Sequence, residues 1–296
     1  MELKQYLLEK RTIIDQALHE YMPQMSGPKE ELFKAMGYSL FAGGKRLRPI
    51  LCIASAEAAG GNHEDVIPVA CALEMIHTYS LIHDDLPAMD DDDMRRGKAT
   101  NHIVFGDAMA ILAGDGLLTE AFKVMSCPEL LKRAGAERFQ RVIEIVAAAS
   151  GPHGMVAGQA LDIRTEGKKI DTGLMEIIHE HKTGALLKAS VTTGAILGGA
   201  SEKDIKSLDD YGKNIGLAFQ ISDDILDIEG DSEKMGKPAG SDIERGKNTY
   251  PAIHGMEKSK IILREIIDNA IETLEAFKER AEPLRQIAEY IIERRK

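Results

Sequence analysis

Apolar residues recur at helical spacing through almost every segment of the chain. Leu3, Leu7, Ile14, Leu18 and Tyr21 keep one stripe until Ser26-Gly27-Pro28 breaks it. A second helix is expected from Glu31 to Phe41, stopped by Gly43-Gly44. An alanine-rich helix then runs to Ala59, and Gly60-Gly61-Asn62 forms a turn. The best-defined helix spans Val66 to Asp84, with Val69, Leu73, Ile76 and Ser80 at i, i+4, i+7 and i+11 and Pro87 just beyond its end. Later helices are expected from Asp107 to Met125, Glu129 to Ala149, Met155 to Ile163, Thr172 to Leu197, Glu202 to Ile228, Lys258 to Ala281 and Leu284 to Arg294. No segment alternates convincingly with period 2, so the fold class is all-α. No break resembles a linker, so a single domain over 1–296 is expected. The stretch from Gly230 to Thr249, rich in Gly, Lys and Ser, is the longest without a helical pattern, where a flap would be useful.

Composition narrows the class. With 296 residues, 44% of them hydrophobic, the chain can bury a sizeable core. A net charge of -11 argues against non-specific nucleic-acid binding, which needs a basic face. It leaves room for an anionic substrate, because a metal ion reverses the local sign. Cys52, Cys71 and Cys127 have no paired spacing and read as free thiols. The N-terminal MELKQYLLEKRTIIDQ lacks the apolar core of a signal peptide, and no run approaches the ~18 apolar residues of a membrane span. A cytoplasmic protein is expected, with no nucleic-acid partner and no integral membrane segment.

The chemistry concentrates between His83 and Gly97, HDDLPAMDDDDMRRG. Asp84, Asp85, Asp90, Asp91, Asp92 and Asp93 crowd there ahead of Arg95 and Arg96. Hard cations such as Mg²⁺ take one or two carboxylates plus substrate phosphates, and arginine forks onto phosphate. A solvated acidic loop is the plainer reading of such a run. A second acidic motif, QISDDILDIEGD at 220–231, turns the balance toward a diphosphate site. Asp84 and Asp90, six apart, share no helix face, so their pairing requires the helix to break near Pro87. Gln220, Asp223 and Asp227 do share a face, at i, i+3 and i+7, among apolar Phe219, Ile221, Ile225 and Leu226. Carboxylates on a buried helix need a partner, and a metal suits them.

Four smaller features leave their roles open. GGKRLRP (43–49) is either a solvated basic turn or a place where Lys45, Arg46 and Arg48 converge on an anion; it is not a P-loop. Gly184, in HEHKTGALLKAS, costs roughly 1 kcal/mol in a helix. It marks a kink or a close approach, or is simply tolerated. His77 and His83 are structural or catalytic. Gly158-Gln159 with Asp162 offers a further polar group whose role spacing does not reveal.

Together these motifs resemble the trans-isoprenyl diphosphate synthase family, most nearly its bacterial farnesyl diphosphate synthases. The matching stretches are GGKRLRP (43–49), HTYSLIHDDLPAMDDDDMRRG (77–97), GQALDI (158–163), HKTGALL (181–187), GLAFQISDDILDIEGD (216–231) and GK (236–237). The resemblance implies the all-α isoprenoid synthase fold, with helices around a large central cavity and two facing aspartate-rich motifs. It implies three Mg²⁺ ions, with Mn²⁺ as a substitute, held mainly by Asp84, Asp90 and Asp223. Asp85, Asp224 and Asp227 would complete the motifs, through water or from behind the ligands. Arg95, Lys182 and Lys237 would grip the allylic diphosphate. Thr183 and Gln220 would line the path of the carbocation. Lys45, Arg48, His77 and Arg96 would hold isopentenyl diphosphate. The family usually forms homodimers. The substrates implied are isopentenyl diphosphate with dimethylallyl and geranyl diphosphate, and the base is the released diphosphate.

Residues just before the first aspartates line the cavity floor in this family; here they are Tyr79 and Ser80. Ser80 lies one turn below Asp84, and Tyr79 about 7–8 Å down the helix axis. By resemblance, an aromatic there goes with a C15 product and a small residue with C20. The nearest rival is therefore a geranylgeranyl diphosphate synthase. A class I terpene cyclase fits less well, because DDILD is a second aspartate motif. A helical phosphohydrolase would need more histidines at helical spacing, and His179 and His181 at i, i+2 do not share a face. A non-catalytic acidic metal-binding subunit would not need both motifs and all the basic groups. Tyr79→Ala is expected to shift the product from C15 to C20 or longer when the dephosphorylated alcohols are sized. An unchanged profile would remove Tyr79 as the floor.

Overall fold

Helix α4, Ile67–Asp84, is apolar on nearly every side, the pattern of a helix enclosed by others. The computed structural model of the chain describes residues 2–22, 26–229 and 248–293. In it, Val69, Ala70, Ala72, Leu73, Met75 and Ile76 of α4 have no solvent exposure. The chain forms two compact units: Met1–Ile53 with Glu64–Ile143, and Ala54–His63 with Glu144–Lys296.

In the first unit, α4 packs along α6 (Asp107–Met125). Helix α1 (Leu3–Tyr21) lies on α4, and α2 (Glu30–Leu40) on both α4 and α6. The short α5 (Asn101–Phe105) rests against α6. Between α4 and α5 stands a hairpin that helical periodicity does not reveal: β1 (Met94–Arg95) and β2 (Lys98–Ala99), antiparallel, with Met94 opposite Ala99 and Arg95 opposite Lys98. Its two loop residues, Arg96 and Gly97, have φ of +54° and +76°, the signs a type I′ turn requires. The helix expected from Glu129 to Ala149 is two, α7 (Pro128–Ala134) and α8 (Ala136–Ser150). They are separated at Gly135, whose φ of +79° a helix does not accommodate.

In the second unit, α11 (Ala185–Leu197) pairs with α12 (Glu202–Glu229), and the helix Met256–Glu272 packs on α12. Buried hydroxyls fix neighbours to this core. Tyr211 donates to the Leu284 carbonyl at 2.7 Å, Ser222 to that of Ile291 at 2.9 Å, and Ser55 to that of Val191 at 2.7 Å. Helix α9 (Met155–Thr165) precedes α10 (Thr172–His179), whose N-terminus is capped by Asp171 accepting from the Leu174 N–H at 2.8 Å. The helix expected from Thr172 to Leu197 is interrupted by a single π-turn, Glu180–Gly184. The one expected from Lys258 to Ala281 ends at Glu272. A 3₁₀ segment, Glu275–Ala281, follows, broken by Lys278 at φ +52°, and the last helix is Glu282–Glu293. Among the described residues no helix is long and apolar enough to cross a membrane.

One buried ion network ties the first unit together. Arg46, at φ +51°, turns the chain after α2 and points its guanidinium inward. Its Nη1 meets Glu74 Oε1 of α4, its Nε meets Asp15 Oδ1 of α1, and its Nη2 donates to the Leu40 carbonyl of α2, each at 2.8 Å. The Arg46 and Glu74 side chains are each 2% exposed. Arg46→Ala strands the Glu74 carboxylate in the interior, and urea unfolding is expected to show a loss of about 3–5 kcal/mol. A loss below about 1 kcal/mol would mean that Glu74 finds water instead.

Candidate active site

The first aspartate motif is built by the end of α4. The helix stops at Asp84, and the chain doubles back around Pro87 so that the Asp90 N–H donates to the Asp84 carbonyl at 2.8 Å. The break that pairing requires is therefore present, and it returns Asp90 to the main chain of Asp84. Asp85 points elsewhere. It is 3% exposed and clamped by Arg95, whose Nε lies 2.7 and 2.9 Å from the two carboxylate oxygens and whose Nη2 lies 2.6 Å from Oδ1. Arg95 Nη2 is also 3.8 Å from Asp92. Asp84 and Asp90 remain half-buried.

The basic groups of the same unit divide into two roles. Arg46 does not join Lys45 and Arg48 around an anion; it is spent on Glu74 and Asp15. Lys45 is exposed and Arg48 half-buried. Arg96 is exposed and donates from Nη1 to the Gly43 carbonyl. His77, half-buried on α4 one turn past Glu74, has its imidazole pushed well below its ordinary 6.5 by burial, with Arg48, Arg96, Arg95 and Arg46 adding to the effect. A neutral imidazole among guanidiniums is a receptive place for an anion, since the anion relieves their mutual repulsion. Tyr79 is 6% exposed and lies edge-on to the His83 ring at 5.7 Å. His83 is set by its Nε2, 3.0 Å from the Ile111 carbonyl of α6. Burial, with Asp84 nearby, pushes the Tyr79 phenol up to about 12. Ser80 donates to the His77 carbonyl at 2.9 Å, so its hydroxyl is turned back along α4.

In the second unit the π-turn brings Lys182 and Thr183 between α9 and α12. A Cβ on Gly158 of α9 would lie 2.1 Å from the Lys182 nitrogen, and one on Gly216 of α12 would lie 2.7 Å from the Gly184 Cα. Glycine at 158 and 216 is what lets these backbones meet. Gly184 thus marks a close approach by a helix. Lys182 Nζ lies 2.5 Å from Asp162 Oδ2 of α9, so Asp162 orients the lysine. Thr183 is half-buried, as are Gln220, Asp223 and Asp227 on one face of the unbroken α12. Asp224 faces inward: it is 6% exposed and accepts from the Tyr250 N–H at 2.9 Å. Both polar atoms of the Gln159 side chain are buried without a partner among the described residues. Lys237, the segment 230–247 of the expected flap, and the basic end 294–296 lie outside the described residues.

The donors suit magnesium. Asp84 and Asp90 carry hard oxygen donors on a stretch of chain joined by the Asp90 N–H to Asp84 carbonyl bond, and in the second unit Asp223 carries the same kind of donor on α12. Among the described residues no three carboxylates, histidines or cysteines form a ready cage. Magnesium does not require one, since it keeps waters and takes substrate phosphates. Several partnerships escape sequence reasoning: Asp85 with Arg95, Arg46 with Glu74, Lys182 with Asp162, and Asp224 with Tyr250.

The polyprenyl synthetase family profile matches residues 29–288, and the chain belongs to that family. It is a trans-prenyl diphosphate synthase with the all-α isoprenoid synthase fold. It is 52% identical to a farnesyl diphosphate synthase of Geobacillus stearothermophilus, covering 88% of this chain and 87% of that one. It is 48% identical to a geranylgeranyl diphosphate synthase of Cyanophora paradoxa, over 98% of this chain and 95% of the relative. The solved geranylgeranyl pyrophosphate synthetase of Pyrococcus horikoshii superposes with a TM-score of 0.89 at 34% identity, over 99% of this chain and 98% of that one.

The depressed His77 pKa makes stability depend on pH. The unfolded chain protonates His77 near its ordinary 6.5, and the folded chain only well below that. Its contribution is thus complete above 6.5 and declines as pH falls from there toward the folded value, where the unfolded state binds more protons. Without substrate, the Tm is expected to fall more steeply between about pH 7 and pH 5 for the wild type than for His77→Gln. Parallel profiles would mean that His77 protonates freely in the folded chain.

Proposed function

We propose that the chain joins isopentenyl diphosphate head-to-tail, 1′-4, to dimethylallyl and then geranyl diphosphate, giving (2E,6E)-farnesyl diphosphate. Each round also releases inorganic diphosphate. The observation that carries the C15 assignment is the buried Tyr79 ring on α4, five residues before Asp84 and braced edge-on by His83. A C20 product is the second reading, favoured by the identity to the Cyanophora enzyme.

Lys45, Arg48, His77 and Arg96 hold the diphosphate of isopentenyl diphosphate, a reading supported for Arg48 and Arg96 by their charge acting on His77. Arg95, Lys182 and Lys237 hold the allylic diphosphate. Asp85 and Asp162 support this reading for the first two, because each carboxylate keeps its cation in one orientation. Magnesium, three ions or manganese in their place, is held by Asp84 and Asp90 in one motif and Asp223 in the other, with Asp227 and the Arg95-bound Asp85 supporting. When bound, it neutralises charge on the departing diphosphate. Thr183 and Gln220 turn hydroxyl and amide dipoles toward the allylic cation left at C1. The double bond of isopentenyl diphosphate attacks that carbon, a C–C bond forms, and a proton passes from C2 to the released diphosphate. Apolar walls keep water from the cation.

A homodimer and a cytoplasmic setting complete the proposal. Ile103 and Val104 of α5 and Ile111 and Leu112 of α6 are 45–53% exposed. An apolar face of this kind on one unit supports burial against a second copy.

The test is a product assay with purified protein, Mg²⁺, labelled isopentenyl diphosphate and dimethylallyl diphosphate, followed by dephosphorylation and chromatography. Farnesol is expected. Geranylgeraniol would replace the C15 assignment with C20, and the absence of EDTA-sensitive elongation would overturn the whole reading.

A further inference from the structure

A π-turn is a rare piece of backbone that persists where its surroundings hold it. Here Glu180–Gly184 carries Lys182 and Thr183, with α9 and α12 closing on it at Gly158 and Gly216. Its N-terminal side is held by one further residue. Tyr250 opens the short helix Tyr250–His254 and is 1% exposed. Its backbone N–H donates to Asp224 Oδ2 of α12 at 2.9 Å. Its hydroxyl donates to Glu176 Oε1 of α10 at 3.1 Å. Its ring stacks on His179, the last residue before the π-turn, with centroids 5.7 Å apart and planes at 25°. His254 covers it at 5.5 Å. The main chain of Tyr250 is fixed independently, because Thr249 accepts from the Ala252 N–H.

Tyr250 therefore touches the second aspartate motif with its backbone and the root of the π-turn with its side chain. We propose that Tyr250 is a positioning residue: it holds α12 at Asp224 and the turn bearing Lys182 and Thr183 in one fixed relation. The proposal rests on the functional reading above for the roles of Lys182, Thr183 and Asp223. On that reading Asp224 serves by anchoring Tyr250, and Asp223, the preceding residue about a hundred degrees around α12, is thereby aimed. Tyr250 itself touches no reacting atom. The phenol stays protonated, since burial, with Glu176 and Asp224 adding, raises its pKa, and it remains a donor to Glu176 throughout.

Two variants separate the contacts. Tyr250→Phe removes the bond to Glu176 alone, and Tyr250→Leu also removes the ring from His179. Misplacing a catalytic group by an ångström costs on the order of a hundredfold, so kcat is expected to fall about fivefold in Tyr250→Phe and about a hundredfold in Tyr250→Leu. The KM for isopentenyl diphosphate is expected to stay within about twofold of the wild type, since its proposed ligands belong to the other unit. A core tyrosine with no positioning role would change Tm and leave kcat per folded molecule alone. Hydrogen exchange of the full chain without substrate gives a readout independent of activity. Peptides spanning 176–187 are expected to exchange faster in both variants, most in Tyr250→Leu, and peptides spanning 67–97 to be unchanged. Unchanged exchange over 176–187 would overturn the proposal. So would a kcat within about twofold of the wild type in both variants, or an equal rise in both substrates' KM. Should Tyr250→Leu fail to fold, Tyr250→Phe decides by the same measurements. A wild type that does not elongate prenyl diphosphates would sink the functional reading, and the exchange experiment would still test the tie.

Discussion

The second unit depends on three backbones meeting without side chains between them. Gly158 of α9 sits against the Lys182 nitrogen, and Gly216 of α12 against Gly184. No larger residue fits at 158 or 216 without moving main chain, so helix packing here is set by backbone contact. The consequence is chemical. Lys182 and Thr183 are carried on a widened turn whose Gly184 lies against Gly216 of α12, the helix that also bears Gln220 and Asp223. The interruption costs helical regularity, and the surrounding contacts with α9, α12, Glu176 and Tyr250 offset it.

Charge in the first unit follows a different rule: some ionic groups are paired in the interior, and others are left nearer the surface. Arg46 and Glu74 bury their charges together, and Arg95 and Asp85 do nearly the same. Pairs of this kind add little net stability compared with apolar residues, but breaking one leaves an uncompensated charge, so they fix geometry firmly. Arg46 locks the turn that presents Lys45 and Arg48, while Asp85 fixes the fork of Arg95. The chain thus places two arginines, 46 and 48, two residues apart, the first buried on Glu74 and the second half-buried. A left-handed φ at Arg46 is what turns one inward.

The two aspartates of each DD pair also part company. Adjacent residues near the end of a helix point about a hundred degrees apart, so one can face solvent or ligand while the other enters the packing. Asp85 enters it toward Arg95, and Asp224 enters it toward the Tyr250 backbone. This gives the doubled acid a mechanical meaning: one carboxylate of each pair is held in the packing, and its neighbour is left half-buried.

The helical class, most element boundaries, the shared face of Gln220, Asp223 and Asp227, and the need for a break near Pro87 were all legible in the sequence. They depend on local periodicity and on proline's fixed geometry, which act over a few residues. The π-turn, the hairpin at Arg95, the split at Gly135 and the partners of the buried charges were not. Arg46 meets Glu74 across 28 positions of chain, and Asp224 meets Tyr250 across 26. Sequence spacing says nothing about such pairs, because their closeness is produced by the packing of whole helices. The amino-acid sequence alone therefore determined which acidic and basic groups this protein concentrates in its motifs. Tertiary structure decided which of them are turned inward to hold the others, because burial and long-range proximity exist only once the helices have packed.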